Sequence, residues 1–336
     1  MNARADIRRA DGPALKTIAH VAACIMLAFA QTAAAQTSWP ERSVRLILPF
    51  PAGSATDVAM RLIETALTPR LGQPVVIDNR SGASGAIGVD AVAKAQPDGY
   101  TTGLVTVSTH AVAPALGKKL PYDPIADLTP LGMVGSTPYV LVAYPGLGVK
   151  NLKELLALAK AKPGHLNYGS AGPASMAHLA AALLAVEAGV DLVHVPYRSS
   201  AHAVTDIMAG RVEMQFATIP PSLELIATDK LTALAVSGAR RSPTLPDVPT
   251  VAEQGVAGFE AALWMGLVMP PKTPPDIAQK FNVALNAVLA DPKVRAALLV
   301  QGVETEPGPP EALLQRIRTD MARWRDVIAK AGIKGE

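Results

Sequence analysis

The stretch VRLILPFPAGSATDVAMRLIETAL, residues 44–67, decides the fold. Val44, Leu46 and Leu48 alternate with Arg45 and Ile47 until Pro49 and Pro51 stop the run, which predicts a short, mostly buried parallel strand. After the loop PAGSATD, the apolar residues Val58, Met60, Leu62, Ile63 and Leu67 fall at helical spacing, and Ser54, Thr56 and Asp57 occupy N-cap territory. Strand, small-residue loop and helix N-terminus therefore follow one another. The first helical turn presents unpaired backbone N–H groups and a partial positive charge. A loop containing Gly53 lets an anion approach them, although a plain βα connection uses the same pattern.

The rest of the chain repeats the arrangement. Residues 74–79 read as a second strand, 80–88 (RSGASGAIG) as a glycine-rich loop, 89–95 as a helix and 101–108 as a third strand ending in Ser108. Three such units predict a parallel sheet with loops 50–57, 80–88 and 108–110 on one rim, where open α/β sheets bind ligands. A second unit starts at 139–144. It carries a helix at 152–161, a strand at 166–168, and the loop 169–175 (GSAGPAS) opening a helix at 176–186. A strand at 193–197, loop 198–200, a helix at 201–209 and strands at 212–217 and 231–237 complete it. Segments 128–144 and 240–269 cross between the units, and helices at 276–289 and 310–331 close the chain. The expected architecture is α/β with two lobes, each a sheet flanked by helices, and two hinge crossings around a ligand cleft. The expected boundaries are 1–35 for a leader, 36–138 plus 262–336 for lobe 1 and 139–261 for lobe 2.

Residues 1–35 have a basic start, an apolar core at 18–30 and an A-x-A site before Gln36, the pattern of a secretory signal peptide. The one cysteine, Cys24, lies inside it, so the remaining chain offers no disulfide, thiol nucleophile or thiolate metal site. Removing four basic and two acidic residues with the leader leaves 27 Lys/Arg and 26 Asp/Glu. That balance leaves no basic stripe for nucleic acid. Aromatic residues make up 4%, too few for stacking platforms. Catalytic patterns are absent: no G-x-S-x-G, no P-loop, no complete G-x-G-x-x-G and no H-E-x-x-H. No cofactor or metal is expected.

Seven motifs in order carry a resemblance over essentially all of the exported chain: PFPAGSATD (49–57), NRSGASG (79–85), PDGY (97–100), LPYDP (120–124), NYGSAG (167–172), HVPYR (194–198) and LPDVPTVAE (245–253). The chain resembles the Bug family, the periplasmic receptors related to tripartite tricarboxylate transporters. The resemblance implies a two-lobed Venus-flytrap receptor that captures a small carboxylate in the periplasm, with loops 50–57 and 170–175 facing it. Backbone amides, small hydroxyls and ordered water would hold the ligand.

The expected contacts are Phe50, Ser54, Ala55, Thr56, Asp57, Ser108, Ser170, Ala171, Ser175, Tyr197 and Arg198. Phe50 and Tyr197 serve as walls, Arg198 as a charge-assisted contact or a solvated loop residue, and Asp57 as a helix cap or a partner for a ligand ammonium. The expected partners are a small organic anion and membrane transporter subunits or a sensor kinase, with no nucleic acid and a monomeric receptor. The competing readings are a ligand-sensing subunit for a membrane signalling partner and, behind it, an enzyme that uses Asp57 with a serine. Dicarboxylates, tricarboxylates, aromatic acids, acidic amino acids and nicotinate-like compounds all remain open as ligands. The sequence departs from the family at Ser54, Ala174 and Ser199–Ser200, where the family carries glycine, and at Ala182, where it commonly carries glutamate. A non-glycine residue at any of these glycine positions with positive φ costs roughly 1 kcal/mol.

Overall fold

The computed structural model describes residues 39–334, so the expected leader and Cys24 lie outside the described residues. The opening stretch folds as read: β1 (Val44–Leu48), then α1 (Ala55–Leu71), capped by the Ser54 hydroxyl and ended by Gly72 at φ 75°. The N–H of Gly72 closes the helix on the carbonyl of Thr68, a left-handed stop that glycine adopts without strain. Next come β2 (Val75–Asn79), α2 (Ala86–Ala93) and β3 (Thr101–Thr106). Both β2 and β3 pair with β1 in parallel, and Ile47 joins Asp78 to Gly103 across the three strands.

The third strand stops two residues before its predicted end. The Thr109 hydroxyl accepts from the N–H of Thr106 (3.0 Å) and donates to the carbonyl of the same residue (3.1 Å). That local bonding competes with the sheet ladder and turns the chain into the wide helical turn Ser108–Val112.

Predicted segments 128–134 and 139–144 merge into one 15-residue strand, β4 (Thr129–Ala143). Its first half pairs antiparallel with β9 (Ala262–Met269), up to Pro138 opposite Ala262. Its second half pairs with β7 (Met214–Thr218), starting at Tyr139 opposite Thr218, and with β8 (Thr232–Val236). Register shifts after Pro130 and Met133 let two prolines and two glycines ride in one strand. The parallel sheet expected of each unit is thus parallel only at its core, with antiparallel strands at the crossing.

The second unit runs through α3 (Leu152–Ala161), β5 (Leu166–Ser170), α4 (Met176–Ala188), β6 (Leu192–Pro196) and α5 (Ser200–Met208). Then come β7, α6 (Ile219–Ala227) and β8. After β9, the chain adds α7 (Pro275–Ala290), α8 (Pro292–Val300), the two-residue β10 (Glu304–Thr305) against β4, and α9 (Pro310–Lys330). The order β2-β1-β3-β9-β4-β7-β5-β6 makes two sheets that share β4, a two-lobed α/β fold. Helices α6 and α8 were absent from the sequence reading because prolines at their starts resemble turn signals. Proline in the first helical turn, at Pro220–Pro221 of α6 and Pro292 of α8, costs no hydrogen bond, since those N–H groups are unpaired anyway.

The chain's largest apolar side chains are buried, among them Trp264, Trp324, Phe216, Phe259 and Phe281. Trp264 also donates its indole N–H to Asp320 on α9 (2.7 Å), tying the C-terminal helix to the crossing strand. Among the described residues no helix is long and apolar enough to cross a membrane.

Candidate ligand-binding rim

Loop 49–54 is held from below by a buried carboxylate. One oxygen of Asp57 accepts from the N–H of Gly53 (2.9 Å) and from Arg61 Nε (2.9 Å). The other accepts from Asn79 Nδ2 (2.9 Å) and Arg61 Nη2 (3.2 Å). Asn79 reaches on to the carbonyl of Phe50 (3.1 Å), so the loop is fastened at both ends. Burial alone would raise the Asp57 carboxyl, but the hydrogen bonds from Arg61, Asn79 and Gly53 and the charge of Arg61 outweigh it and hold the pKa at about 2. With both oxygens so engaged and 2% of its surface exposed, Asp57 positions the loop and is a poor general base. Sequence reasoning named Asp57 without its clamp, although the i,i+4 spacing to Arg61 was a readable signal.

The three lobe-1 loops pack on one another. A side chain at Gly85 would meet Thr109 at 2.7 Å, and one at Gly88 would meet Pro49 and the carbonyl of Arg80 at 2.8 Å. Ala83, Ser84 and Gly85 take positive φ in succession, at 46°, 55° and 93°. Ser54 has φ −67°, so replacing glycine there adds a cap and no strain. Phe50, Ser54 and Thr56 are partly exposed along this rim, Ala55 is fully exposed, and Ser108 is half-buried at the end of β3.

In the second lobe Ser170 is fully buried and works as a hub. Its hydroxyl accepts from the N–H of Gly172 (3.1 Å), donates to the carbonyl of Gly172 (3.0 Å) and lies 2.6 Å from His194 Nε2. All three contacts are satisfied together when His194 carries its proton on Nε2 and donates it. That arrangement leaves Ser170 with no base and no access to a substrate. Sequence reading proposed it as a contact; the structure instead makes it the peg of the exposed loop at Ala171.

Ser175 caps α4, accepting from the N–H of His178 (3.3 Å) and donating to Gly172 O (2.8 Å). His178 Nδ1 accepts from the N–H of Ala174 (3.1 Å), and the His178 ring stacks on His194 at 3.8 Å. Burial, then the neighbouring His194, pushes the His178 pKa down to about 4, and burial lowers His194 as well. Ala174 takes φ 58°, so of the replaced glycines it alone is strained, while Ser199 lies at −156°.

Tyr197 links the two parts of this rim: its N–H donates to the carbonyl of Ser170 (3.0 Å) and its hydroxyl to Asp206 (2.8 Å). Arg198 beside it is exposed, with no hydrogen-bond or ion-pair partner among the described residues. The expected contacts thus form two groups, 50–57 with Ser108 and 170–198, and among the described residues no hydrogen bond joins loop 50–57 to loop 170–175. No cluster of three or more His, Cys, Asp or Glu residues suited to a metal occurs among the described residues.

Residues 59–333 match the family described as tripartite tricarboxylate transporter family receptor. The Bordetella pertussis protein BugT is 37% identical over 88% of this chain and 91% of its own length. An R. palustris protein solved with adipate is 36% identical, with a TM-score of 0.70 over 88% of this chain and 99% of that one. A solute-binding protein from Polaromonas, solved with no ligand, is 28% identical with a TM-score of 0.80 over 87% and 99% of the two chains. The chain belongs to the tripartite tricarboxylate transporter receptor family, of the Bug type.

Proposed function

We propose that this protein is a periplasmic receptor, exported with loss of residues 1–35, that captures a small organic carboxylate between its lobes and delivers it as a monomer to membrane transporter subunits. The carrying observation is the pair of serine-capped helix N-termini, α1 and α4, each behind an exposed small-residue loop. Such ends offer unpaired N–H donors and a partial positive charge to an anion. Phe50, Ser54, Ala55, Thr56, Ser108, Ala171, Ser175 and Tyr197 would line the route, and Arg198 would supply a cation. Asp57 and Ser170 shape the loops from behind.

The expected boundary between the lobes at 138/139 is supported by β4, whose pairing passes from β9 to β7 between Pro138 and Tyr139. Closure over the ligand would bring the two loop groups together. Adipate in the R. palustris relative fits a carboxylate as the recognised group. The buried hub at Ser170 and the acidic, fully bonded Asp57 speak for binding without turnover.

The test is a thermal-shift and calorimetric screen of the protein from Gln36 against organic acids, with the added compound recovered. A carboxylate at a hundred times its Kd stabilises by about 2.7 kcal/mol and returns unchanged. A compound returned chemically altered would overturn the receptor reading in favour of an enzyme.

A further inference from the structure

Where the lobes meet beside β4, a cavity of about 330 Å3 opens directly next to Ala55 and Thr56 in the first turn of α1. That volume is at the lower end of small-molecule sites, roughly 300–1,000 Å3. Its walls come from both lobes: Tyr139, Thr218 and Pro220–Pro221 on one side, Leu263, Met265 and Val300 on the other, with the neutral Thr137 and Gln301 among them. None of the residues that line it is Asp, Glu, Lys, Arg or His. Burial raises the Tyr139 phenol to about 12, so it too stays neutral.

The start of α6 also borders the cavity, yet it is a poor anion site. Its N-cap Thr218 makes no capping hydrogen bond, and the second and third helical positions are Pro220 and Pro221. Prolines remove N–H groups that would otherwise face a ligand and replace them with apolar rings. The end of α1 keeps its donors. One helix terminus can therefore hold a carboxylate, and the opposite one presents two proline rings and a single neutral hydroxyl, that of Thr218.

We propose that this cavity is the subsite for the uncharged, apolar end of the ligand, whose carboxylate is held at the N-terminus of α1. The protein then selects monocarboxylates with an alkyl tail over di- and tricarboxylates. A second carboxylate reaching this cavity would lose its water without meeting a cation. Each methylene entering it would improve affinity. The inference rests on the carboxylate-receptor reading above and narrows its ligand class.

Calorimetry with hexanoate, adipate and butanoate tests it, because hexanoate and adipate differ at one end only. Hexanoate should bind at least tenfold more tightly than adipate, and roughly tenfold more tightly than butanoate, which lacks two methylenes. Val300 is 73% exposed at the cavity edge, so Val300→Lys adds a cation without disturbing the core, which an unchanged melting temperature checks. V300K should weaken hexanoate and strengthen adipate, shrinking the ratio about two- to fivefold. Adipate binding as well as hexanoate to the wild type, or a ratio unmoved by V300K, overturns the inference. If neither acid binds but a tricarboxylate does, the inference falls and the receptor reading stands. If no carboxylate binds at all, both fall.

Discussion

Asp57→Asn tests how the first rim loop is held. Three groups converge on this carboxylate: the N–H of Gly53, the Arg61 guanidinium and the amide of Asn79. An asparagine turns one oxygen into a donor that faces other donors whichever way the amide lies. Arg61 is half exposed, so its ion pair adds little. The hydrogen bonds from Arg61, Asn79 and Gly53 to the buried charge carry the effect, since each bond to a charged group contributes about 1.5–3 kcal/mol. Expressed through the pKa, a carboxyl held at about 2 instead of 3.8 contributes about 2 kcal/mol.

The sign is that of a depressed carboxylate. Its contribution is complete above about pH 4 and disappears as pH falls towards 2. Urea unfolding at pH 7 should therefore show Asp57→Asn less stable by about 2 kcal/mol. The gap to wild type should close between pH 4 and 2. Hydrogen exchange at Gly53 should quicken, and carboxylate affinity should fall with the loss of loop order. A gap below about 0.5 kcal/mol at pH 7, or one that persists unchanged at pH 2, would refute the clamp.

Ala174→Gly should raise stability by about 1 kcal/mol in denaturant titration, because glycine relieves the left-handed backbone at φ 58°. Gly88→Ala should cost about 1–3 kcal/mol, since the added carbon meets backbone at 2.8 Å and the neighbour cannot yield as a flexible side chain would. His178 is held neutral, so its contribution is complete above about pH 6.5 and is lost as pH falls to about 4, where the unfolded chain protonates first. His178→Gln should flatten that part of the stability profile, and the imidazole resonance of His178 should titrate near pH 4 in NMR. Arg198→Ala should leave the melting temperature unchanged and weaken carboxylate binding about tenfold or more in calorimetry.

The sequence made the βα units legible because their signals are local. Ser54, Ser175 and Asn151 announce helix starts, and the alternation at 44–48 announces a buried strand. It did not make β4 legible as one strand. Gly132, Gly135, Pro130 and Pro138 break its pattern locally, and only the long-range partners β9, β10, β7 and β8 hold it extended. The loops of the candidate site were legible as loops, but the division of labour within them was not. Asp57 and Ser170 look like ligand contacts in a motif, and what removes them from the surface is Asn79 and His194, 22 and 24 residues further on. Such pairings are properties of the sheet, which brings the ends of neighbouring strands together.

That division has a consequence for recognition. Asp57 and Ser170 are bonded to the protein itself, and on the proposed reading backbone N–H groups, small hydroxyls and Arg198 are left for the ligand. A loop already fastened by Asp57 and Asn79 loses little further entropy when a ligand arrives, so binding free energy is available for closing the lobes. Backbone donors recognise the carboxylate group that all candidate ligands share, and they discriminate poorly among the molecules that carry it. Discrimination must then come from whatever surrounds the rest of the ligand, and next to α1 that surrounding is the uncharged cavity between Pro220–Pro221 and Val300. Substitutions at Val300 and Met265 should therefore change which acid binds, whereas substitutions at Asp57 and Ser170 should weaken every acid alike.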